Sequence, residues 1–311
     1  MTLTELRYIV NLDKERHFGR AAERSFVSQP TLSVAVKKLE EHLGIVLFER
    51  IRGEVKPTVA GQRIVAQARR VLAEAQLIED LAKEGQNELV GPLRLGAIYT
   101  VGPYLLPNLV PLMRERTPRM PLIIEENFTV KLMEQLRDNE LDAILVALPV
   151  DLDGLSAWPL YDEAFVALMR REHRWAKEKQ IPSKKLAEER LLLLGSGHCF
   201  RDQVISACPR CLDAEGDNPK PQTGSSLETI RYMVLSGLGI TVLPRSAVEN
   251  RENETRALVA RPLSGPTPSR RIALVWRKSF PRMKAITALR EAILASGIRG
   301  VDLLPNEKPS A

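Results

Sequence analysis

The 311-residue chain reads as an α/β protein: a helical N-terminal domain with a two-stranded wing, a long linking helix, and an α/β region of two subdomains. Three observations predict this. Up to Gly44 the apolar residues recur at helical spacing, and a short hairpin pattern follows. An uninterrupted helical stretch then runs from Thr58 to about Lys83. From Pro92 onward, short apolar strands alternate with amphipathic helices, and the unit up to residue 147 has the pattern of a largely parallel sheet. The expected domains are residues 1–58, 59–90 and 91–305. The last splits into subdomain I, about 91–162 and 267–305, and subdomain II, about 163–266.

Hydrophobic residues make up 44% of the chain, enough for packed cores. No apolar run approaches the ~20 residues needed to span a bilayer, and the N-terminus lacks a basic-then-apolar leader. A cytoplasmic protein without a membrane partner is therefore expected. The net charge of +6 is compatible with nucleic-acid binding. Residues 1–57 hold ten Lys/Arg against eight Asp/Glu, so any DNA footprint must be local.

In the N-terminal domain, Leu3, Leu6, Ile9 and Val10 mark a first helix over residues 3–12. His17-Phe18-Gly19 reads as a break, and Arg20 begins a short alanine-rich helix. Ser28 is a good N-cap, Pro30 suits the first turn of the next helix, and Gly44 ends it after Leu32, Val36, Leu39 and Leu43. Two short helices, a tight turn and a helix with small polar residues at its start form a helix-turn-helix, whose second helix reads base edges in the major groove. Gln29, Pro30, Thr31, Ser33, Val34, Lys37 and Lys38 are its candidate DNA contacts. Val46 to Thr58 reads as a hairpin turning near Gly53, with Arg50 and Arg52 set to meet phosphates or the minor groove. In the linking helix Ile64, Ala68, Val71, Ala75, Ile78 and Ala82 alternate spacings of four and three, a heptad seam.

The α/β region opens with strand 93–98, helix 104–116, strand 121–125, helix 130–139 and strand 142–147. A second set follows, with strands 165–169 and 190–194, a helix from Cys199, helix 227–236 and strand 240–243. Strand 271–276 and helix 283–294 close it. Ligands of such folds sit where strand ends converge. The region's helices carry no nucleotide-binding glycine loop, and no cofactor is expected.

All three cysteines fall between residues 199 and 211. In a reducing compartment such a cluster points to redox chemistry or metal binding rather than to structural disulfides. The glycine-rich lead-in ends at Cys199, and Phe200, Val204 and Cys208 recur every four residues, so a helix should start there. A cysteine at that position meets the positive end of the helix dipole, with His198 and Arg201 nearby, which favours a nucleophilic thiolate. Cys208-Pro209-Arg210-Cys211 is a C-x-x-C pair, of thioredoxin or zinc type by spacing alone.

The run Phe18-x-x-Ala21-Ala22-x-x-x-x-Val27-Ser28-Gln29-Pro30-Thr31-Leu32-Ser33-x-x-Val36-Lys37-Lys38-Leu39-Glu40-x-x-Leu43-Gly44 resembles the LysR-type transcriptional regulators. Ser226-Leu227-Glu228-Thr229, continued by Val234, Gly237, Gly239, Ile240, Leu243 and Pro244, is a second signature of that family. The resemblance implies a winged helix-turn-helix and a periplasmic-binding-protein-like regulatory domain. It also implies linker helices that pair, giving a homotetramer built as a dimer of dimers. Promoter DNA and RNA polymerase become the expected partners, and the expected activity is transcriptional activation rather than catalysis.

Gly197-His198-Cys199-x-Arg201-Asp202-Gln203, followed by Cys208, resembles more narrowly the hydrogen-peroxide sensors of the family. That likeness implies Cys199 as the residue oxidised by hydrogen peroxide and Cys208 as its disulfide partner. Thr100 and Thr129 would supply hydroxyls to the peroxide, His198 and Asp202 would complete a polar pocket, and Arg270 would bring positive charge. Nine helical steps of ~1.5 Å separate the two cysteines by roughly 13 Å, so a bond between them requires helix 199–208 to unwind. Cys211 departs from the pattern and reads as a bystander, with a 208–211 or a 199–211 bond as alternatives. Two other functions remain open on the sequence. One is a regulator that binds a small organic effector in the cleft between subdomains, its cysteines incidental. The other is a thiol peroxidase.

Overall fold

The computed structural model describes residues 1–51, 54–81, 88–212, 222–249, 257–265, 268–305 and 309. The chain forms two units, one of residues 1–86 with 137–139 and one of the remainder.

The first unit begins with α1 (Leu3–Glu15), held by a capping box in which Thr2 and Glu5 satisfy each other's backbone N–H. Helix α2 spans Phe18–Arg24 and starts two residues before the expected Arg20. The reason is His17, whose Nδ1 accepts from the N–H groups of Gly19 and Arg20, so the apparent break is itself the cap. Helix α3 (Gln29–Leu43) has Ser28 as its N-cap and ends at Gly44 in the left-handed region (φ 69°). The hairpin of β1 (Phe48–Ile51) and β2 (Glu54–Pro57) follows. Thr58 then opens α4 (Val59–Leu81), its hydroxyl accepting from the N–H of Gly61 at 2.8 Å. Leu6, Ile9, Leu12, Leu32, Val36, Leu39, Leu47 and Val55 form the core, together with Val65 and Ala68 of α4. The first half of the heptad seam is therefore occupied within its own domain, whereas Ile78 is 70% exposed. Ala82 lies outside the described residues.

The second unit opens with β3 (Leu93–Ile98), α5 (Gly102–Arg116), β4 (Leu122–Asn127), α6 (Thr129–Arg137) and β5 (Ala143–Leu148). Strand β6 (Leu155–Arg170) then runs for 16 residues. After it come β7 (Ile181–Pro182), β8 (Leu191–Leu194), α7 (Cys199–Ala207), β9 (Gln222–Gly224), α8 (Leu227–Leu235) and β10 (Ile240–Pro244). The chain closes with α9 (Ser246–Glu249), β11 (Leu258–Ser264), β12 (Ser269–Arg277), α10 (Met283–Leu294) and β13 (Asp302–Leu303).

The strand order β4-β3-β5-β12-β6-β10-β8-β9 places two apolar cores on either side of β6. The sheet is parallel toward its two ends, where β3 pairs with β4 and β5, and β8 with β9 and β10, and in the short side pair of β7 with β11. Its middle is antiparallel, because β12 pairs with both β5 and β6, and β6 with β10 and β11. The largely parallel arrangement expected for the unit of strands 93–98, 121–125 and 142–147 is present in β3, β4 and β5, and the antiparallel middle comes from β6 and β12. A five-residue apolar run at 165–169 marks only the second half of β6, since Ser156, Pro159, Asp162 and Glu163 break the apolar pattern of the first. Both halves are strand, with Leu155, Ala157, Leu160 and Tyr161 buried in one core and Phe165 to Met169 in the other.

Candidate functional site

Three chain segments meet at the free cysteine. The end of β3 brings Ile98, Tyr99 and Thr100, the β4–α6 junction brings Asn127, Phe128 and Thr129, and the lead-in to α7 brings Gly197, His198 and Cys199. Gly197 has φ 96°, and a Cβ there would meet the Phe128 ring at 3.2 Å, so only glycine carries the chain through this turn. The recess they enclose leaves about 10 Å³ for the centre of a water-sized guest. That is room for a single molecule of that size. Cys199 is half-buried and unbonded at the start of α7, whose N-cap residue His198 makes no side-chain capping bond.

His198 is buried, with its ring edge-on to Phe128 and Tyr99 at centroid distances of 4.8 and 5.9 Å. Its Nε2 lies 3.2 Å from the Ser225 carbonyl oxygen, which can only accept, so Nε2 carries the proton. Burial pushes the His198 pKa below its ordinary value of 6.5, and the Ser225 bond opposes this only partly. The imidazole is therefore neutral near pH 7. The Thr129 hydroxyl oxygen is buried without a protein partner.

Arg270 is buried behind the recess. Its Nε donates to Glu163 at 2.7 Å, while its terminal nitrogens donate to the Thr100 hydroxyl at 2.7 Å and the Thr100 carbonyl at 2.9 Å. Both side chains of the Arg270–Glu163 pair are 0% exposed, and the guanidinium also lies over the Phe200 ring. The charge expected to face the cysteine is thus matched by a carboxylate and reaches the recess only through Thr100. Truncating Arg270 would strand the Glu163 carboxylate, so its loss affects folding as well as chemistry. Asp202 does not join the site. Its side chain is 75% exposed on the next part of α7 and pairs with Arg201 at 3.7 Å.

At the far end of α7, Cys208 is not free. It is bonded to Cys211 across a Cα separation of 5.6 Å, and both are buried. The turn that joins them is held by the Cys211 N–H donating to the Cys208 carbonyl. The expectation of Cys211 as a bystander is corrected here, and of the alternatives left open the 208–211 bond is the one present.

In the first unit Gln29, Pro30, Thr31, Val34, Lys37 and Lys38 are exposed on α3, and Ser33 is half-buried. These positions form one solvent face, because Leu32, Val36 and Leu39 turn the opposite face into the core. Lys37 makes only an exposed ion pair with Glu41 at 3.8 Å. The Arg50 side chain and Arg52 lie outside the described residues.

Sequence reasoning missed Tyr99, Phe128 and Glu163. The two aromatics look like ordinary core residues in a strand-to-helix pattern. Glu163 sits in β6 at a position where a buried carboxylate has no local signal, its partner lying 107 residues further on.

Comparison with known proteins bears on both units. Residues 86–297 match the LysR substrate binding domain, and residues 3–62 match the bacterial regulatory helix-turn-helix protein, lysR family. The DNA-binding transcriptional dual regulator OxyR of Escherichia coli K12 is 39% identical over 295 residues, 95% of each chain. A probable hydrogen peroxide-inducible genes activator of Streptomyces viridosporus is 38% identical over 296 residues, 94% of each chain. Among solved structures, a full-length OxyR from Pseudomonas aeruginosa with a cysteine-to-aspartate substitution has 50% identity and a TM-score of 0.76, covering 99% of both chains. A hydrogen-peroxide-bound OxyR mutant from Corynebacterium glutamicum has 33% identity and a TM-score of 0.62, covering 95% of this chain and 92% of its own.

Proposed function

The chain belongs to the LysR family of transcriptional regulators, and from that premise we propose that it is a DNA-binding activator of the oxidative stress response, switched by hydrogen peroxide at Cys199. One observation carries this reading: the only free cysteine stands in a recess with room for one water-sized guest, beside two threonine hydroxyls and a neutral histidine. Hydrogen peroxide is of that size. An organic effector is not, and would need the recess to open.

The chemistry follows from the neighbours. A Cys199 thiolate attacks one peroxide oxygen, the O–O bond breaks, hydroxide leaves and the sulfur becomes a sulfenic acid. Thr100 accepts from Arg270, so its own hydrogen is available to the guest, and a donor already polarised by a guanidinium is a stronger one. Thr129, with no protein partner, is a second hydroxyl for the same guest. His198 with Nε2 protonated keeps Nδ1 as an acceptor and adds no charge. Positioning the oxygens for in-line attack and supporting the departing hydroxide are what these groups supply.

The exposed face of α3 reads promoter DNA, with the wing residues Arg50 and Arg52 on the backbone. The linker helices pair through the half of α4 that carries Ile78, and the regulatory domains supply a second contact, giving a homotetramer. RNA polymerase is the partner at the promoter, in the cytoplasm. The protein acts as a switch and not as a peroxidase. No helix among the described residues is long and apolar enough to cross a membrane. The test is a comparison of DNA footprints before and at successive times after one equivalent of peroxide. A footprint that changes at some point in the series, without sustained peroxide turnover, is expected, and one unchanged at every time overturns the assignment.

A further inference from the structure

We propose that Cys208 and Cys211 form a second redox couple that takes over the oxidation begun at Cys199, so that the 208–211 disulfide, and not the 199–208 disulfide, is the end product of the reaction with peroxide. The proposal rests on the peroxide-sensing reading above and extends it to a residue, Cys211, that the reading leaves unused.

The two possible bonds differ in what they do to the fold. Nine helical steps separate Cys199 from Cys208, roughly 13 Å along an intact helix, so a bond between them requires α7 to come apart. Phe200 and Val204, each 2% exposed, must then leave the core. The 208–211 bond costs none of this. It coexists with a fully formed α7 of nine residues, and the backbone turn over Pro209–Leu212 already holds the two Cα atoms 5.6 Å apart. Once α7 has opened to form the 199–208 bond, moving that bond to Cys211 lets the helix and its two apolar side chains return. The fold therefore favours the exchange in one direction.

Each step balances. The Cys199 thiolate attacks hydrogen peroxide and becomes a sulfenic acid, releasing hydroxide. The Cys208 thiol condenses with it, forming the 199–208 disulfide and water. The Cys211 thiolate attacks the Cys208 sulfur, forms the 208–211 disulfide and expels Cys199 as a thiolate. The proton from Cys211 neutralises the hydroxide. Overall, hydrogen peroxide accepts two electrons from the Cys208 and Cys211 thiols, giving one disulfide and two waters, and Cys199 returns unchanged. The opened, 199–208-linked form is then a transient, and the conformational signal ends by itself. While the pair stays oxidised, a second peroxide leaves Cys199 as a sulfenic acid with no thiol to resolve it.

The full-length protein, reduced and freed of reductant, is treated with one equivalent of peroxide, quenched with an alkylating agent at successive times and digested with trypsin. Cleavage after Arg201 and Arg210 places the three cysteines on three peptides, so each link is read separately. The 199–208 link should rise first and decay as 208–211 accumulates, with the Cys199 thiol recovered. In Cys211→Ser, 199–208 should form at the wild-type rate and persist. A wild-type end point with 199–208 linked and Cys211 still alkylated overturns the relay, whether or not the serine variant folds. So does a 208–211 bond that forms at wild-type speed in Cys199→Ser, since the pair would then be oxidised without Cys199. Failure of the underlying reading looks different: no oxidation of Cys199 in any form, with both thiols of the pair retained.

Discussion

The exposed face of α3 and the recess at Cys199 solve the problem of recognition in opposite ways. On α3 the functional side chains lie within ten residues of one another and most are exposed; the helix behind them does the organising. In the recess they come from separate segments of the chain, and behind them Thr100, Arg270 and Glu163 are buried and already bonded to one another. Lys37 makes one loose exposed ion pair, whereas Arg270 has both its charge and its hydrogens committed to Glu163 and Thr100. A surface that reads a large, highly charged partner needs only exposure and sign. A pocket that handles a molecule the size of water needs fixed geometry, and fixed geometry requires neighbours.

Mutations should separate the two accordingly. The largest effect is expected for Cys199→Ser, which should abolish the peroxide-dependent change in DNA footprint while leaving DNA affinity intact; any residual peroxide response would move the switch elsewhere. Next comes Thr100→Val, nearly isosteric, which should slow sulfenic-acid formation by roughly a hundredfold, as loss of one preorganised donor does. Arg270→Ala should slow it by about an order of magnitude or more and also lower stability by about 3–5 kcal/mol, because a buried carboxylate is left unpaired. Stopped-flow oxidation and denaturant melts measure the two consequences. If Thr100→Val reacts at wild-type speed, the hydroxyl is not in the reaction path.

On α3 the effects should be graded. Replacing Lys37 and Lys38 together by Ala should weaken DNA binding and flatten the log K versus log salt slope by about 0.9 for each phosphate no longer neutralised. Anisotropy titrations at several salt concentrations report this, and a slope equal to wild type would place the footprint off this face. The smallest effect belongs to His198. Because its folded pKa is depressed, the unfolded chain takes up the proton first, so stability is full above the ordinary value of 6.5 and is lost as pH falls below it. Melting temperature should therefore decline on acidification through that range, and less steeply in His198→Asn. Equal slopes would remove the imidazole from the pH dependence.

This contrast also explains what the sequence could tell. The helix-turn-helix was legible residue by residue because a capping serine, a first-turn proline, an apolar stripe and a terminal glycine are all local signals. The start of α7 was legible for the same reason. The recess was not. Thr129 reads as a helix cap, Arg270 as one of many basic residues, and Glu163 carries no mark, so the first two entered only through resemblance and the third not at all. Asp202 shows the limit of resemblance, since its carboxylate lies largely in solvent and does not line the recess. The C-x-x-C spacing signalled a pair, but spacing alone could not choose between the possible bonds.

Strand β6 has a consequence for how the second unit comes apart. Its first ten residues are hydrogen-bonded to β12 and its last few to β10 and β11, so one uninterrupted backbone is an inner strand of both halves. Neither half can be excised and kept folded, because any cut leaves a row of unpaired amides and carbonyls along a newly made edge. Loss of one half should therefore propagate into the other. Thermal melting of this unit is expected to be all-or-none, with damage to the packing around Phe165 appearing in the hydrogen exchange of β12 as readily as in its own neighbours.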